Sequence, residues 1–140
     1  MRRRRRTEIL INGSRELPEK LAASIERNYS INILSKPQEA LVMVKMRENA
    51  KKSLFYLGEV LVTETKVQIG GSIGIGVIIG HDEEMSYWLA IIDAAYQSHL
   101  KDTEEWESIL HEEERKIEAE RKQKHAEILK TKVNFETMDV

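Results

Sequence analysis

Residues Gly70–Gln97 read GGSIGIGVIIGHDEEMSYWLAIIDAAYQ, and no other part of the chain is so apolar or so constrained. From Ser72 to Ile79 the residues Ile73, Ile75, Val77, Ile78 and Ile79 favour a strand, because β-branched side chains suit a pleated, half-buried surface. Gly74 and Gly76 lie two apart and so share a face. A strand face without side chains lets a helix, another backbone or a ligand approach closely. Gly80 ends the strand. Asp82 then offers a carboxylate to the unpaired donors of a helix start, and Glu83 and Glu84 fill a first turn where the dipole favours negative charge. The helix so predicted continues to about His99. Met85, Leu89, Ile92, Tyr96 and His99 lie on one face, Trp88, Ile91 and Ala95 on another, and Ala90 and Ala94 fill much of the rest. A helix apolar nearly all round is buried on more than one side. Either it is the central helix of its own domain, or one side packs on the sheet and the other meets a second polypeptide. A chain of 140 residues has little protein with which to cover it, which favours the second arrangement. Asp93, inside this helix, must be paired or ligated, and a structural hydrogen bond or an interface pair is expected.

Upstream, Leu54–Ile69 is a long strand pattern that changes phase at Gly58-Glu59, as a bulge would produce, and Gly70-Gly71 turn it into the glycine-rich strand. Glu39–Arg47 is a further strand, and Ile31–Leu34 a short one set off by Lys36-Pro37. Leu17, Leu21 and Ile25 mark an amphipathic helix over Glu19–Asn28, with Pro18 pre-setting its first turn. Thr7–Ile11 reads as a short helical turn closed by Asn12-Gly13-Ser14. These hairpins predict an α+β fold: an antiparallel sheet of about four strands with the apolar helix packed on it. Residues 1–100 then form a core domain with a basic N-terminal arm. Residues 101–140 add a long charged helix, from Thr103 to about Lys130, and an extended docking tail.

The long helix carries a thin apolar line of Trp106, Leu110, Ile117, Lys124 and Leu129 among dense Glu, Lys and Arg. That line is too sparse for a self-sufficient coiled coil, so the helix projects or lies on a partner. In the tail, TKVNFETMDV, the apolar Val133, Phe135 and Met138 are unlike a disordered segment. Trp106, Val133, Phe135 and Met138 are therefore the candidate partner-binding residues.

Net charge is −2, so bulk charge does not mark a nucleic-acid binder. The absence of cysteine removes disulfides, thiolate catalysis and cysteine metal sites, and fits a cytoplasmic location. No apolar run is long enough to span a membrane. Arg2–Arg6 form an unbroken basic run that is either a solvated arm or a contact for phosphate, nucleic acid or acidic protein. No aromatic residues interleave with it to stack bases.

Catalytic signatures are weak. Gly74-x-Gly76 lacks the third glycine of the dinucleotide fingerprint, and no P-loop is present. His81 and Asp82 at the strand-to-helix junction are a possible phosphate contact. His111 and Glu114 lie three apart on the charged helix, a single pair that suits a solvated face better than a metal. No nucleophile–base pair and no metal or cofactor set is legible, which favours a subunit or binding protein over a self-contained enzyme.

Four segments together resemble one family, the small PhnG-type subunit of the bacterial carbon–phosphorus lyase system. They are RRTEIL at Arg5–Leu10, LGEVLVTET at Leu57–Thr65, GIGVIIGHD at Gly74–Asp82 followed by AIIDAAYQ at Ala90–Gln97, and KVNFETM at Lys132–Met138. The resemblance implies a component of a cytoplasmic core complex with larger PhnI-, PhnJ- and PhnH-type subunits and ATPase-like accessory subunits. That complex uses ATP. It transfers a phosphonate to ribose C1 and displaces adenine, a chemistry that the resemblance assigns to the large partner. It supplies no catalytic residue, cofactor or metal ligand for this chain. The alternative is a phosphate- or nucleic-acid-binding module built on Arg2–Arg6.

Overall fold

The structure is a computed structural model that describes the backbone of residues 1–47 and 54–138 and the side chains of residues 1–45 and 57–132. The elements are α1 (Arg3–Asn12), α2 (Glu16–Asn28), β1 (Asn32–Arg47), β2 (Leu54–Ile69), β3 (Ser72–Ile79), α3 (Glu83–Gln97) and α4 (Asp102–Met138). They fall into two compact units: Glu16–Glu104, and residues 1–15 with residues 105 onward.

The first unit is an antiparallel sheet in the order β1-β2-β3 with α3 on one face. Among the described residues three strands form instead of about four, because Ile31–Leu34 and Glu39–Arg47 join in one strand. Pro37 does not break β1. It lies on an edge strand, where a missing N–H is tolerated, and the register against β2 jumps between Ser35 and Gln38 to absorb it. A further register shift, between Val44 and Lys45, faces Gly58, whose φ is +153°, at the expected phase change. Gly70 and Gly71 make the two-residue turn, with Ile69 paired to Ser72.

The glycine face of β3 lets α3 sit on the strand. A Cβ at Gly74 would collide with Ala90 O and Ala94 N, and one at Gly76 with Ser86 O and Ala90 N. Thr65 and Val67 pair with Gly76 and Gly74 on this same face, and both are fully buried. Ser86 Oγ donates to Glu83 O at 3.0 Å, so Thr65 supplies the hydrogen of the 2.7 Å bond between Thr65 Oγ1 and Ser86 Oγ. On its other side α3 meets α2, which contributes the buried Leu21, Ala22 and Ile25. Ala90, Ile91, Ile92, Ala94 and Ala95 are buried within the chain itself, so α3 is the domain's own central helix and needs no second polypeptide.

In the second unit α1 is longer than the sequence suggests and takes the arginine run into its first turns. Its residues group with α4 rather than with the core. α4 also outruns its expected end. No glycine or proline interrupts residues 102–138, so nothing stops the helix, and the backbone through Met138 is helical rather than an extended tail. No helix among the described residues is long and apolar enough to cross a membrane.

Candidate interaction site

At the start of α3, Asp82 accepts from Met85 N at 3.1 Å, the expected N-cap. Thr63 Oγ1 donates to Gly80 O at 2.6 Å and accepts from Asp82 N at 3.1 Å, which fixes the junction. His81 Nδ1 lies 2.6 Å from Glu39 Oε1 of β1, with both side chains exposed. The structure thus brings Glu39, His81 and Asp82 together. Three more features oppose phosphate there: Asp82 already takes a first-turn donor, and Glu83 and Glu84 add negative charge beside it.

The buried Asp93 carboxylate accepts from Ile75 N at 3.0 Å. Even-numbered residues of β3 face β2, as the bond from Gly80 N to Leu61 O shows, so the Ile75 N–H points off the open edge of the sheet. Asp93 therefore blunts the middle of that edge against strand addition. Its outer face still exposes Ile73, Ile75, Val77 and Ile79.

β3 pairs with β2 only from Val62 to Ile69, whereas β1 and β2 stay paired out to Arg47 and Leu54. Past Val62 the sheet is a two-stranded ribbon with apolar groups on both faces. Leu41 and Leu61 oppose each other, and Leu41, Val42, Met43, Leu57 and Leu61 are all exposed, Leu41 at 64%. A lone ribbon is marginally stable in water, and apolar groups on both faces call for cover. The alternating strand pattern carried this signal, but only strand lengths and register reveal that no third strand among the described residues reaches it.

The second unit is organised by charge. Arg5 Nε donates to Glu114 Oε2 at 2.8 Å, and Arg5 Nη2 pairs with the other oxygen of that carboxylate. The amino group of Met1 donates to Glu107 Oε1 at 2.8 Å, and Ser14 N donates to Glu113 Oε1 at 2.9 Å. Gly13 leaves room for that carboxylate, since a Cβ there would lie 2.7 Å from Glu113 Oε1. The Arg5 hydrogen bond holds Glu114 below the usual carboxylate range, and the Met1 amino group does the same for Glu107. Arg4 bonds Glu8 at 3.1 Å and Arg6 is buried. The basic run is thus built into α1 rather than a solvated arm, and four of its five arginines, Arg3, Arg4, Arg5 and Arg6, have partners. The bonds of Met1, Arg5 and Ser14 to Glu107, Glu114 and Glu113 join residues about a hundred positions apart, which no local reading of the sequence detects.

Of the four expected partner-binding residues, Trp106 is 4% exposed, so its apolar surface is already covered. Val133, Phe135 and Met138 lie on the helical backbone of α4, and their side chains fall outside the described residues. Among the described residues no group of three or more His, Asp or Glu could hold a metal. His111 and Glu114 are on α4, with Glu114 bonded to Arg5.

What this geometry presents is surface for association. A family profile described as phosphonate metabolism protein PhnG matches residues 1–139. A protein of Rhizobium meliloti (strain 1021), named alpha-D-ribose 1-methylphosphonate 5-triphosphate synthase subunit PhnG, is 34% identical over 106 residues. That span covers 73% of this chain and 65% of the relative, less than two thirds of its length. With the family profile running along nearly its whole length, the chain belongs to the PhnG family of phosphonate metabolism proteins.

Proposed function

We propose that this chain is a non-catalytic subunit of a cytoplasmic carbon–phosphorus lyase core complex. In this reading it supports synthesis of an alpha-D-ribose 1-methylphosphonate 5-triphosphate-type product in phosphonate catabolism. A phosphonate oxygen attacks ribose C1 of ATP, the C1–N bond to adenine breaks, and adenine leaves with a proton. The larger PhnI-type partner carries that step, PhnJ- and PhnH-type subunits and ATPase-like accessory subunits complete the assembly, and this chain binds neither cofactor nor metal. The relative's name supports the reaction class. The exposed β1–β2 ribbon carries the argument for a subunit, because apolar groups on both faces of a two-stranded segment require a partner.

The test is co-expression of the tagged chain with its larger subunits, followed by assay of the purified pool for adenine release dependent on both ATP and a phosphonate. The expected result is stoichiometric co-purification, with activity in the pool and none in this chain alone. Recovery of the chain alone, or turnover by the isolated chain, would refute the proposal.

A further inference from the structure

On α4 the residues Trp106, Leu110, Ile117, Lys124 and Ile128 fall within about 40° of one another around the helix axis. They form one stripe with two fates. Trp106, Leu110 and Ile117 are buried, along the stretch where α1 makes its contacts from Glu107 to Glu114. The same stripe then runs on without cover, and Ile128 is 64% exposed. Lys124, Glu127, Ile128, Thr131 and Lys132 lie side by side along that open face of the helix.

Charge changes along the helix together with cover. From 105 to 114 there are five carboxylates and no Lys or Arg, and this is the stretch that takes the arginine-rich α1. From 121 to 132 five cations, Arg121, Lys122, Lys124, Lys130 and Lys132, stand against one carboxylate, Glu127, and all twelve residues are exposed. The covered half thus shows the rule of the interface: an apolar seam flanked by opposite charge. We infer that residues 121–132 of α4 dock an acidic amphipathic helix of a partner protein, with Ile128 in the seam and Lys124 and Lys132 pairing with its carboxylates.

A second copy of this chain does not fit. Its own acidic stretch is occupied, with Glu107 bonded to Met1, Glu113 to Ser14 and Glu114 to Arg5. Helix-in-groove recognition through i, i+4 and i+7 anchors suits the exposed stretch, which spans about 18 Å. The inference rests on the subunit reading only for which protein supplies that helix.

The test titrates the full chain, by fluorescence anisotropy, with a labelled synthetic helix of about 20 residues bearing leucines at i, i+4 and i+7 and flanking glutamates. A second helix has lysines for the glutamates. The acidic helix is expected to bind saturably and to weaken between about 50 and about 300 mM salt as screening shortens. The basic helix is expected not to bind. Lys124→Glu with Lys132→Glu, and separately Ile128→Asp, are expected to weaken binding about tenfold or more while circular dichroism stays unchanged, since all three side chains are exposed. Equal binding of both helices, no effect of these variants, or self-association of the free chain through this stretch would overturn the inference. So would an oligonucleotide that binds there regardless of Ile128→Asp. The same variants placed in the co-expressed complex separate the two readings. If wild type and variants co-purify equally with the larger subunits, the docking inference fails and the subunit reading stands. If wild type does not co-purify, the subunit reading fails and the titration still decides the docking surface.

Discussion

Replacing Gly76 with alanine adds one methyl group at the closest approach of β3 and α3. The new Cβ would meet Ser86 O, would lie 2.5 Å from Ala90 N, and would be 3.0 Å from Leu89 Cβ. Two of these neighbours are helix backbone, so no side-chain rotation relieves them. An ordinary contact begins near 3.4 Å, so α3 must lift by about 0.9 Å at Ala90 and further at Ser86. That displacement stretches the 2.7 Å bond between Thr65 and Ser86 beyond hydrogen-bond range and leaves the fully buried Thr65 hydroxyl without that partner, while Ser86 keeps Glu83 O. Overpacking costs about 1–3 kcal/mol. The lost buried bond adds about 1–3 kcal/mol. The reduced freedom of the unfolded chain returns about 0.5–1 kcal/mol. The net expectation is a loss of roughly 1–5 kcal/mol, against a total stability of about 5–15 kcal/mol for an ordinary domain. Urea unfolding followed by circular dichroism reads this as a fall in midpoint at unchanged slope. Gly71→Ala is the control, since nothing lies within 4 Å of its added Cβ. A change under about 0.5 kcal/mol in Gly76→Ala would refute the claim that the glycine face sets the sheet–helix distance.

Other expectations follow from the same contacts. Asp93→Ala removes the acceptor of Ile75 N–H, so it is expected to cost about 1–3 kcal/mol and to promote edge-to-edge association visible by sedimentation, whereas Asp93→Asn keeps an acceptor and is milder. Glu107 and Glu114 are held below their usual value of 4.5 in the folded chain. Their contribution is therefore present above about pH 4.5 and is lost as pH falls through their lowered values. Amide exchange in α1 is expected to quicken below that pH while β2 and α3 stay protected, and uniform exchange across both units would contradict it. Leu41→Asp with Met43→Asp is expected to leave the monomer folded, because both side chains are exposed, yet to abolish co-purification with the larger subunits; intact assembly would remove the ribbon from the interface. Gly13→Val is expected to push Glu113 off Ser14 N and expose the end of α1 to proteolysis, with no change in the unfolding midpoint of the sheet unit.

Local chemistry determined much of this protein by itself. The alternation in Ser72–Ile79, the glycines two apart, the cap at Asp82 and the apolar circumference of α3 specify a strand, a turn and a buried helix from neighbours in the chain alone. The family resemblance was also legible, since it rests on short motifs in order. What the tertiary structure decided lies in pairings between distant residues. Pro37 looked like a strand end because a central strand cannot hold it, and only the strand order showed β1 to be an edge. The arginine run looked free in part because the carboxylate that holds Arg5, Glu114, lies about a hundred positions away on α4. α3 looked under-covered because α2 returns over it. The exposed ribbon exists because β3 stops at Ile79 while β1 and β2 continue, a difference in length that appears only once register is set. Periodicity reports which face of an element is apolar, and only the packed fold reports which apolar faces are still open to a partner.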